Sequence, residues 1–504
     1  MRYAKILMLV LSLLIVSTAF AQQGNLQRSE KKTLFVFPVE FDGETMEVPK
    51  GEVEWARSQF LEIYVNTFER FDYIEMPEVN DLESFLADSK TYIEEHAREI
   101  VQKRKEPDGR IREVRVTVDD LKEAVQNGYV FFPEVTHVKK NEKKVKNQKK
   151  KEITFDVNMH IEVYRAINGE IIETVAGSTD NFGAILGSFR TMATGFANMD
   201  GADSDEKKEF RMSIEGVYEE MKVYLRQMGE FQLKAVAFDT GFNGFNIDLG
   251  KTMGIRMDRR YKAWSLDNDG KPNEMLAFGK VRKVNDEYSR VQILIGNVGE
   301  GDQVLEDARF GLNIAPQFMI LPYKLEGFDD MGLFINAQNP GIVFAVPEDT
   351  DGSNISLGLS LEYNIAWVTN VSELYIVLDG GWIPDTDIMV WNGMFGLRKK
   401  VFFRRVGLFG TVKVGGIGVE FLDTDMFDDD DVEDDSDAVT IGVGVDVGAE
   451  VLITPNLSLR GQVGYYGFPK QSIITGYDLG DDKWKTATLT SAGVTFGLAL
   501  SYTL

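Results

Sequence analysis

Hydrophobic and polar residues alternate strictly in the stretch Val439–Ile453. Valine, isoleucine or alanine occupies every second position, and the positions between them are mostly small or charged: three glycines, Thr440, Asp446 and Glu450, with Leu452 last. Side chains in a β-strand point alternately to opposite faces, so one face of this stretch is aliphatic and the other is small or charged. The pattern predicts a β-strand with two faces of opposite character.

A second strand follows at once and completes a hairpin. Thr454-Pro455-Asn456 predicts a turn, and alternation resumes over Leu457–Phe468 with Arg460 on the polar face. A soluble β-sandwich also alternates, with its apolar face inward. Here the apolar faces carry no charge over their whole length, while the opposite faces carry glycine and charges. That pattern favours a transmembrane barrel, apolar outward and polar inward, over a sandwich.

The alternation recurs through the C-terminal third of the chain. Eight segments show it: Met331–Val346, Ile355–Val368, Glu373–Ile383, Ile388–Lys400, Val406–Leu422, Val439–Ile453, Leu457–Phe468 and Thr486–Leu504. Tight connections alternate with connections that are mostly longer and are polar or acidic, as expected of outer-membrane barrels. Residues 331–504 are therefore predicted to form an eight-stranded antiparallel transmembrane β-barrel. Eight strands leave an interior just wide enough for side chains, so we expect an anchor and not a pore.

The last residues carry a further signal. Phe496, Leu498, Leu500, Tyr502 and Leu504 alternate up to the end of the sequence. This resembles the terminal signal by which outer-membrane barrels are recognised for insertion, although leucine stands where an aromatic residue is usual. The segment as a whole resembles the small OmpA-type eight-stranded barrels. The resemblance implies outer-membrane lipid and the barrel insertion machinery as partners.

Several charged residues are expected inside this barrel. Their positions on the polar faces place Asp446, Glu450, Arg460, Glu362 and Lys413 toward the lumen. An interior network of ion pairs that stiffens the barrel is one interpretation. A path for a substrate is the other.

The chain before the barrel predicts an export segment and a mixed domain. Residues 1–21 combine Arg2 and Lys5 with a short apolar run and Ala-Phe-Ala, as in a secretory signal peptide. Residues 33–232 alternate strands and helices and end in a long amphipathic helix, which predicts an α+β domain. The phrases FPVEF, ERFDYIEMP and IEVYRAINGEIIETVAG resemble the periplasmic domain shared by the curli secretion channel family and the N-terminal domain of TolB.

Residues 233–306 predict a smaller unit made of short strands. The phrases NIDLGKTMGIRMDRRYKAW, FGKVRKVNDEYSRVQIL and EGDQVL resemble the C-terminal domain of flagellar assembly protein T. That resemblance implies a small β-barrel that contacts other periplasmic proteins. Residues 307–330 are expected to be a linker.

Two charge runs stand out. Residues 139–151 contain eight lysines: Lys139, Lys140, Lys143, Lys144, Lys146, Lys149, Lys150 and Lys151. They predict either a solvated hairpin tip or a contact with anionic head groups or an acidic partner. The acidic stretch 423–437 predicts a solvated loop, with cation binding as the alternative.

Composition narrows the function further. The net charge of −25 argues against nucleic acid as a partner, and the absence of cysteine excludes thiolate chemistry. The histidines, His96, His137 and His160, all precede the barrel, so acyl transfer there lacks its usual base. We expect no enzyme and no cofactor. The prediction is an outer-membrane-anchored envelope scaffold or assembly protein with an unknown periplasmic protein partner. The alternatives are an oligomeric secretion or export pore and a surface adhesin.

Overall fold

The computed structural model describes most of the chain in three units. The described residues are 29–67, 70–77, 81–97, 99–105, 111–144, 151–194, 205–267, 272–326, 334–335, 343–344, 350–384, 388–421, 438–478 and 483–504. The predicted signal segment 1–21, the acidic stretch 423–437 and the lysines Lys146, Lys149 and Lys150 lie outside them. In the part of the chain that is described, no helix is long and apolar enough to cross a membrane.

The first unit, which we call the α+β unit, is a mixed sheet with helices on both faces. Its strands are β1 Lys32–Val36, β2 Glu40–Met46, β3 Phe71–Glu75, β4 Val101–Lys105, β5 Ile111–Arg115, β6 Tyr129–Lys144, β7 Lys151–Arg165 and β8 Ile171–Ser178. Its helices are α1 Glu52–Thr67, α2 Leu82–Ala87, α3 Ser89–His96, α4 Val118–Asn127, α5 Ala184–Thr194 and α6 Asp205–Gln227. The sheet order is β5-β4-β3-β1-β6-β7-β8, with β2 beside β6.

Helical spacing explains how the α+β unit closes its core. In α6, Phe210, Ile214, Val217, Met221 and Leu225 recur three or four residues apart, and all are buried against the sheet. The smaller helices α2 to α4 cover the opposite face of the sheet. The sheet is thus buried on both sides.

Helix α5 lies unusually close to α6. A Cβ atom added at Gly216 would collide with the backbone carbonyl of Gly183, and one added at Gly187 would collide with that of Met212. Glycine permits this approach because it has no side chain. The contact fixes the position of α5 on the outside of the unit.

The second unit, the small barrel, has six antiparallel strands. They are β9 Lys234–Gly241, β10 Gly244–Ile247, β11 Arg260–Leu266, β12 Pro272–Val284, β13 Ser289–Gly296 and β14 Gln303–Glu306. The order β10-β13-β12-β11-β14-β9 closes on itself, because β9 pairs with β10. Small and branched apolar side chains, such as Ala235, Ala263 and Val291, fill its interior.

The third unit, the large barrel, is closed, antiparallel and eight-stranded, which confirms the predicted barrel. Its strands are β15 Leu312–Glu326, β18 Thr350–Asn364, β19 Leu374–Pro384, β20 Ile388–Phe403, β21 Val406–Phe421, β22 Ala438–Leu452, β23 Leu457–Asp478 and β24 Lys483–Thr503. The short helix α7, Ala366–Thr369, lies between β18 and β19. The barrel closes where β24 pairs with β15.

The first strand of the large barrel differs from the sequence prediction. Strand β15 lies within residues 307–330, which were expected to be a linker, whereas 331–346 contributes only two short strands that pair with each other, β16 Phe334–Ile335 and β17 Val343–Phe344. Two prolines, Pro316 and Pro322, obscure β15, since proline seldom lies in strand interiors. Its inward face is also largely apolar. The linker therefore shrinks to residues 307–311, which join the two barrels directly.

Candidate functional site, the filled barrel and its docking face

The outer surface of the large barrel is a continuous apolar band. On β22, Ile441 is 72% exposed and Val445 is 51% exposed, while the adjacent Thr440 and Asp446 point inward and are buried. Other strands of the barrel expose Val412, Leu397 and Phe318 in the same way. This polarity is the reverse of a soluble protein and matches a barrel that faces lipid.

The lumen is filled by charged side chains, and the first cluster centres on Glu362. Its carboxylate forms ion pairs with Arg398 and Arg460, and Lys400 Nζ lies 2.7 Å from its Oε2. Lys400 also lies 2.7 Å from Glu450 Oε2, and the hydroxyl of Ser458 donates to Glu450 at 2.6 Å. These residues come from four different strands, so the cluster ties the wall of the barrel together.

A second cluster lies around Lys413. Its ammonium group pairs with Asp379 and Asp446, and it donates to the hydroxyl of Tyr466 at 2.8 Å. The ammonium also lies 5.3 Å from the centre of the Tyr466 ring. Together the two clusters contain four carboxylates and four bases, so their charges balance.

The structure places all five sequence-predicted lumen residues inside the barrel. Asp446, Glu450, Arg460, Glu362 and Lys413 are each at most 5% exposed. Their partners Asp379, Arg398 and Lys400 were missed by the sequence analysis. Strand parity was the available signal, because these three lie at inward positions of β19 and β20.

The short-turn end of the large barrel rests on the small barrel. Arg282 of the small barrel donates to two residues of the β18–β19 connection, Ser372 Oγ at 2.8 Å and Glu373 Oε1 at 2.7 Å. In the β20–β21 turn, Arg404 donates to the carbonyl of Phe242 at 3.0 Å and to Asn297 Oδ1 at 2.9 Å. All three short turns make such contacts, and we call this surface the docking face.

The third short turn is held by an arginine that also pairs within the small barrel. Arg260 donates to the carbonyl of Pro455 at 2.9 Å and also to Asn456. The same guanidinium lies 2.7 Å from Asp307 Oδ2, and Lys262 lies 2.9 Å from Asp307 Oδ1. Burial alone would raise the pKa of Asp307, but the adjacent Arg260 and Lys262 charges hold that pKa well below its usual range.

Helix α5 of the α+β unit joins the docking face. Leu186 and Phe189 pack with Leu312 and Tyr363 of the large barrel, and the Phe189 and Tyr363 rings stack at 5.3 Å. The terminal Leu504 is buried in the same cluster. All three units therefore meet at one end of the large barrel.

A buried cluster around Glu306 connects the α+β unit to the small barrel. Its carboxylate lies 2.8 Å from Arg70, 2.6 Å from Arg226 and 2.7 Å from Arg259. Burial alone would raise the pKa of Glu306, but the three guanidinium groups outweigh it and hold the pKa well below its usual value. Burial, with the charge of Arg226 next, lowers the pKa of Arg259 to about 9.

A cavity of about 150 Å³ lies where the three units meet. Its wall takes side chains from α6, from segment 256–260 and Lys280 of the small barrel, from the connection 307–311 and from the short-turn end of the large barrel. We call it the junction cavity. It lies at the docking face and outside the lumen network.

The residues proposed as an insertion signal divide between two environments. Phe496, Leu498 and Leu500 are about half exposed on the apolar band, whereas Leu504 is buried at the docking face. Tyr502 is half-buried beside it. The apolar alternation thus faces outward until the strand reaches the docked units.

The lysine-rich stretch forms the far end of the β6–β7 hairpin. Lys139, Lys140, Lys143 and Lys144 end β6, and Lys151 begins β7 opposite Lys144. Lys140 lies 2.9 Å from Glu142 and 3.2 Å from Glu206, and Lys151 lies 2.6 Å from Glu142. Neighbouring carboxylates therefore offset part of the positive charge.

Comparison with known proteins gives structural likenesses only. No family model matches the chain, and no curated protein matches it. Among solved structures, Neisserial surface protein A is 14% identical, with a TM-score of 0.21, over 38% of this chain and 96% of that one. The outer membrane protein OprG from Pseudomonas aeruginosa is 13% identical, with a TM-score of 0.25, over 38% and 96%. The outer membrane protein AlkL is 20% identical, with a TM-score of 0.22, over 38% and 90%.

Proposed function

We propose that this chain is an outer-membrane protein whose filled barrel anchors two periplasmic modules, the α+β unit and the small barrel, as an envelope scaffold or assembly factor. The observation that carries the proposal is the docking face. Each short turn of the large barrel contacts the small barrel, and α5 packs beside the barrel end. These contacts would hold both modules at the membrane surface.

The contacts also favour one orientation. Short turns face the periplasm in outer-membrane barrels, and longer loops face outward. Because the modules dock on the short turns, they would lie in the periplasm, where export through a signal peptide would deliver them. Protease added to intact cells should leave residues 29–306 uncut, and permeabilising the outer membrane should expose them. Digestion in intact cells would reverse the orientation.

The lumen supports an anchor over a pore. Four carboxylates and four bases cross-link the interior walls, and the side chains of Glu362, Arg398 and Arg460 are completely buried. An eight-stranded barrel offers no further width for an aqueous path. Purified full-length protein in planar bilayers should therefore conduct no steady ion current. Large steady conductance would reject the scaffold and favour the secretion-pore alternative.

The scaffold role itself is tested by its partners. Photo-crosslinking residues placed on the β6–β7 hairpin, for example at Lys143, should capture a discrete periplasmic protein in cells. The matched position Val445 on the apolar band should yield only lipid adducts and barrel insertion components. Equal captures from both positions would contradict a partner-presenting module. Adhesion of whole cells that disappears on deleting residues 423–437 would instead support the adhesin alternative.

A further inference from the structure

The junction cavity has an excess of positive charge. Seven lysine and arginine side chains line it, against the three carboxylates Glu219, Asp258 and Asp307. The chain as a whole has a net charge of −25, so the sign of this cavity is opposite to that of the protein. A concave surface of one charge sign focuses its field on a small anion.

The nearby carboxylates do not cancel this excess, because each also serves a base outside the wall. Glu219 pairs with Arg190, which also lies 3.2 Å from Glu215. Asp307 pairs with Lys262 as well as with Arg260 and Arg309. Behind the wall, Glu306 is shared with Arg70. Three bases share Glu306 and three share Asp307, whereas Lys280 and Arg282 are matched by Glu373 and Asp258.

Arg309 supplies a donor that the described residues leave unused. Its side chain is 17% exposed, and its Nε lies 3.4 Å from Asp307 Oδ1. This buried Nε has no hydrogen-bond acceptor among the residues that the structure describes. A buried guanidinium donor without an acceptor is costly, so an external acceptor at this position would be stabilising.

Lys222, on the α6 side of the cavity, points to the same conclusion. Burial lowers the pKa of Lys222 to about 7. The positive charge of Arg190 lowers this pKa further, whereas the ion-pair partner Glu219 raises it. An anion in the cavity would favour the charged form of this lysine.

We propose that the junction cavity binds one phosphate group. A phosphate offers several acceptor oxygens at once, and arginine guanidinium groups match its geometry. The volume of about 150 Å³ accommodates a phosphate group together with ordered water. Bound phosphate would contact α6, the small barrel and the connection 307–311 together, so it would stabilise the docked arrangement of the three units.

Two sources can supply this group, a free phosphate or the head group of a phospholipid, since the cavity lies at the short-turn end of the barrel. The test uses the full chain in a maltoside detergent, which contains no phosphate, at constant ionic strength. One titration adds inorganic phosphate and the other adds dihexanoyl phosphatidylglycerol below its micelle concentration. Calorimetry gives the stoichiometry, and the thermal midpoint of the α+β unit reports stabilisation. Saturable binding of one phosphate per chain is expected in at least one titration.

Arg309→Gln is the diagnostic variant, because Asp307 keeps Arg260 and Lys262 and no carboxylate is orphaned. Its affinity should fall at least tenfold, as for loss of one charge-assisted hydrogen bond. Arg290→Gln, an equal charge change at a half-exposed site on the small barrel outside the cavity, should bind within about twofold of the wild type. Lys222→Gln provides a second cavity variant if Arg309→Gln does not fold.

The two titrations separate the sources. Saturation by inorganic phosphate identifies a free-anion site, and saturation by the lipid alone identifies a head-group site. Absence of saturation with both probes would overturn the proposal. Equal weakening in the Arg309 and Arg290 variants would also overturn it, because the attraction would then belong to the surface at large.

Discussion

The Glu306 cluster provides the sharpest test of how the units are held together. Glu306→Gln keeps the size of the side chain and removes its charge, which leaves Arg70, Arg226 and Arg259 around a neutral amide. All three guanidinium groups lie within 2.8 Å of the carboxylate in the folded protein. Breaking a buried ion pair by neutralising one partner costs about 3–5 kcal/mol, since the remaining charges stay buried.

The helical circular dichroism signal at 222 nm provides the assay. Except for the four-residue α7, the described α-helices lie in the α+β unit, so this signal follows that unit while the large barrel stays folded. Urea titration of the full chain in detergent should show the loss of about 3–5 kcal/mol for Glu306→Gln. Glu54→Gln is the control, because Glu54 forms an exposed pair with Arg57 that contributes about 0–1 kcal/mol.

The same cluster predicts the direction of the pH dependence. The pKa of Glu306 is lowered in the folded state, so its stabilisation is present above the ordinary value of 4.5 and is lost as the pH falls below it. Wild-type protein should therefore lose stability from about pH 4.5 downward more steeply than Glu306→Gln. Equal unfolding free energies for the Glu306 and Glu54 variants, or parallel pH profiles for wild type and Glu306→Gln, would refute the stabilising role of the Glu306 ion pairs.

Three further predictions concern the barrel and the hairpin. Val445→Arg places a cation on the lipid face at a cost of about 2–4 kcal/mol. After refolding, a smaller fraction of this variant should show the heat-dependent gel mobility of a closed barrel, whereas Val445→Ile should refold normally. Lys413→Met leaves two buried carboxylates without their base and should lower the free energy of unfolding of the barrel by about 3–5 kcal/mol, measured from gel mobility across a urea titration; wild-type stability would show that the lumen pairs are dispensable. Replacing the described hairpin lysines with glutamine should leave the gel mobility of the barrel unchanged but reduce the fraction of protein that sediments with anionic liposomes. An unchanged fraction would show that these lysines do not bind the lipid head groups. The lysines to replace are Lys139, Lys140, Lys143, Lys144 and Lys151.

The sequence by itself determined the character of the barrel. Period-two alternation is a local property, because each residue's face depends only on its parity along a strand. It therefore identified most of the strands, the outward face of residues such as Val445, and inward charges such as Asp446 and Arg460. It also placed the short turns at one end and the mostly longer connections at the other.

Tertiary structure decided which residues meet. Glu362 contacts Arg398 and Arg460 only because closure and register bring distant strands together, and no local pattern encodes register between strands. Gly444 illustrates the same limit. Parity marks it only as a small inward residue, yet a Cβ there would lie 2.7 Å from the Tyr466 ring on the adjacent strand.

The docking of the units was likewise beyond the sequence. Arg260 binds both Asp307 and the turn at Pro455. Glu306 forms ion pairs with Arg70 and Arg259, which are 189 positions apart in the chain. Each partner is an ordinary surface charge when the chain is read locally. The first strand, β15, was also hidden, because Pro316 and Pro322 interrupt its local pattern while closure with β24 supplies its pairing. Long-range geometry alone turned an expected linker into a strand and brought the separate modules into contact.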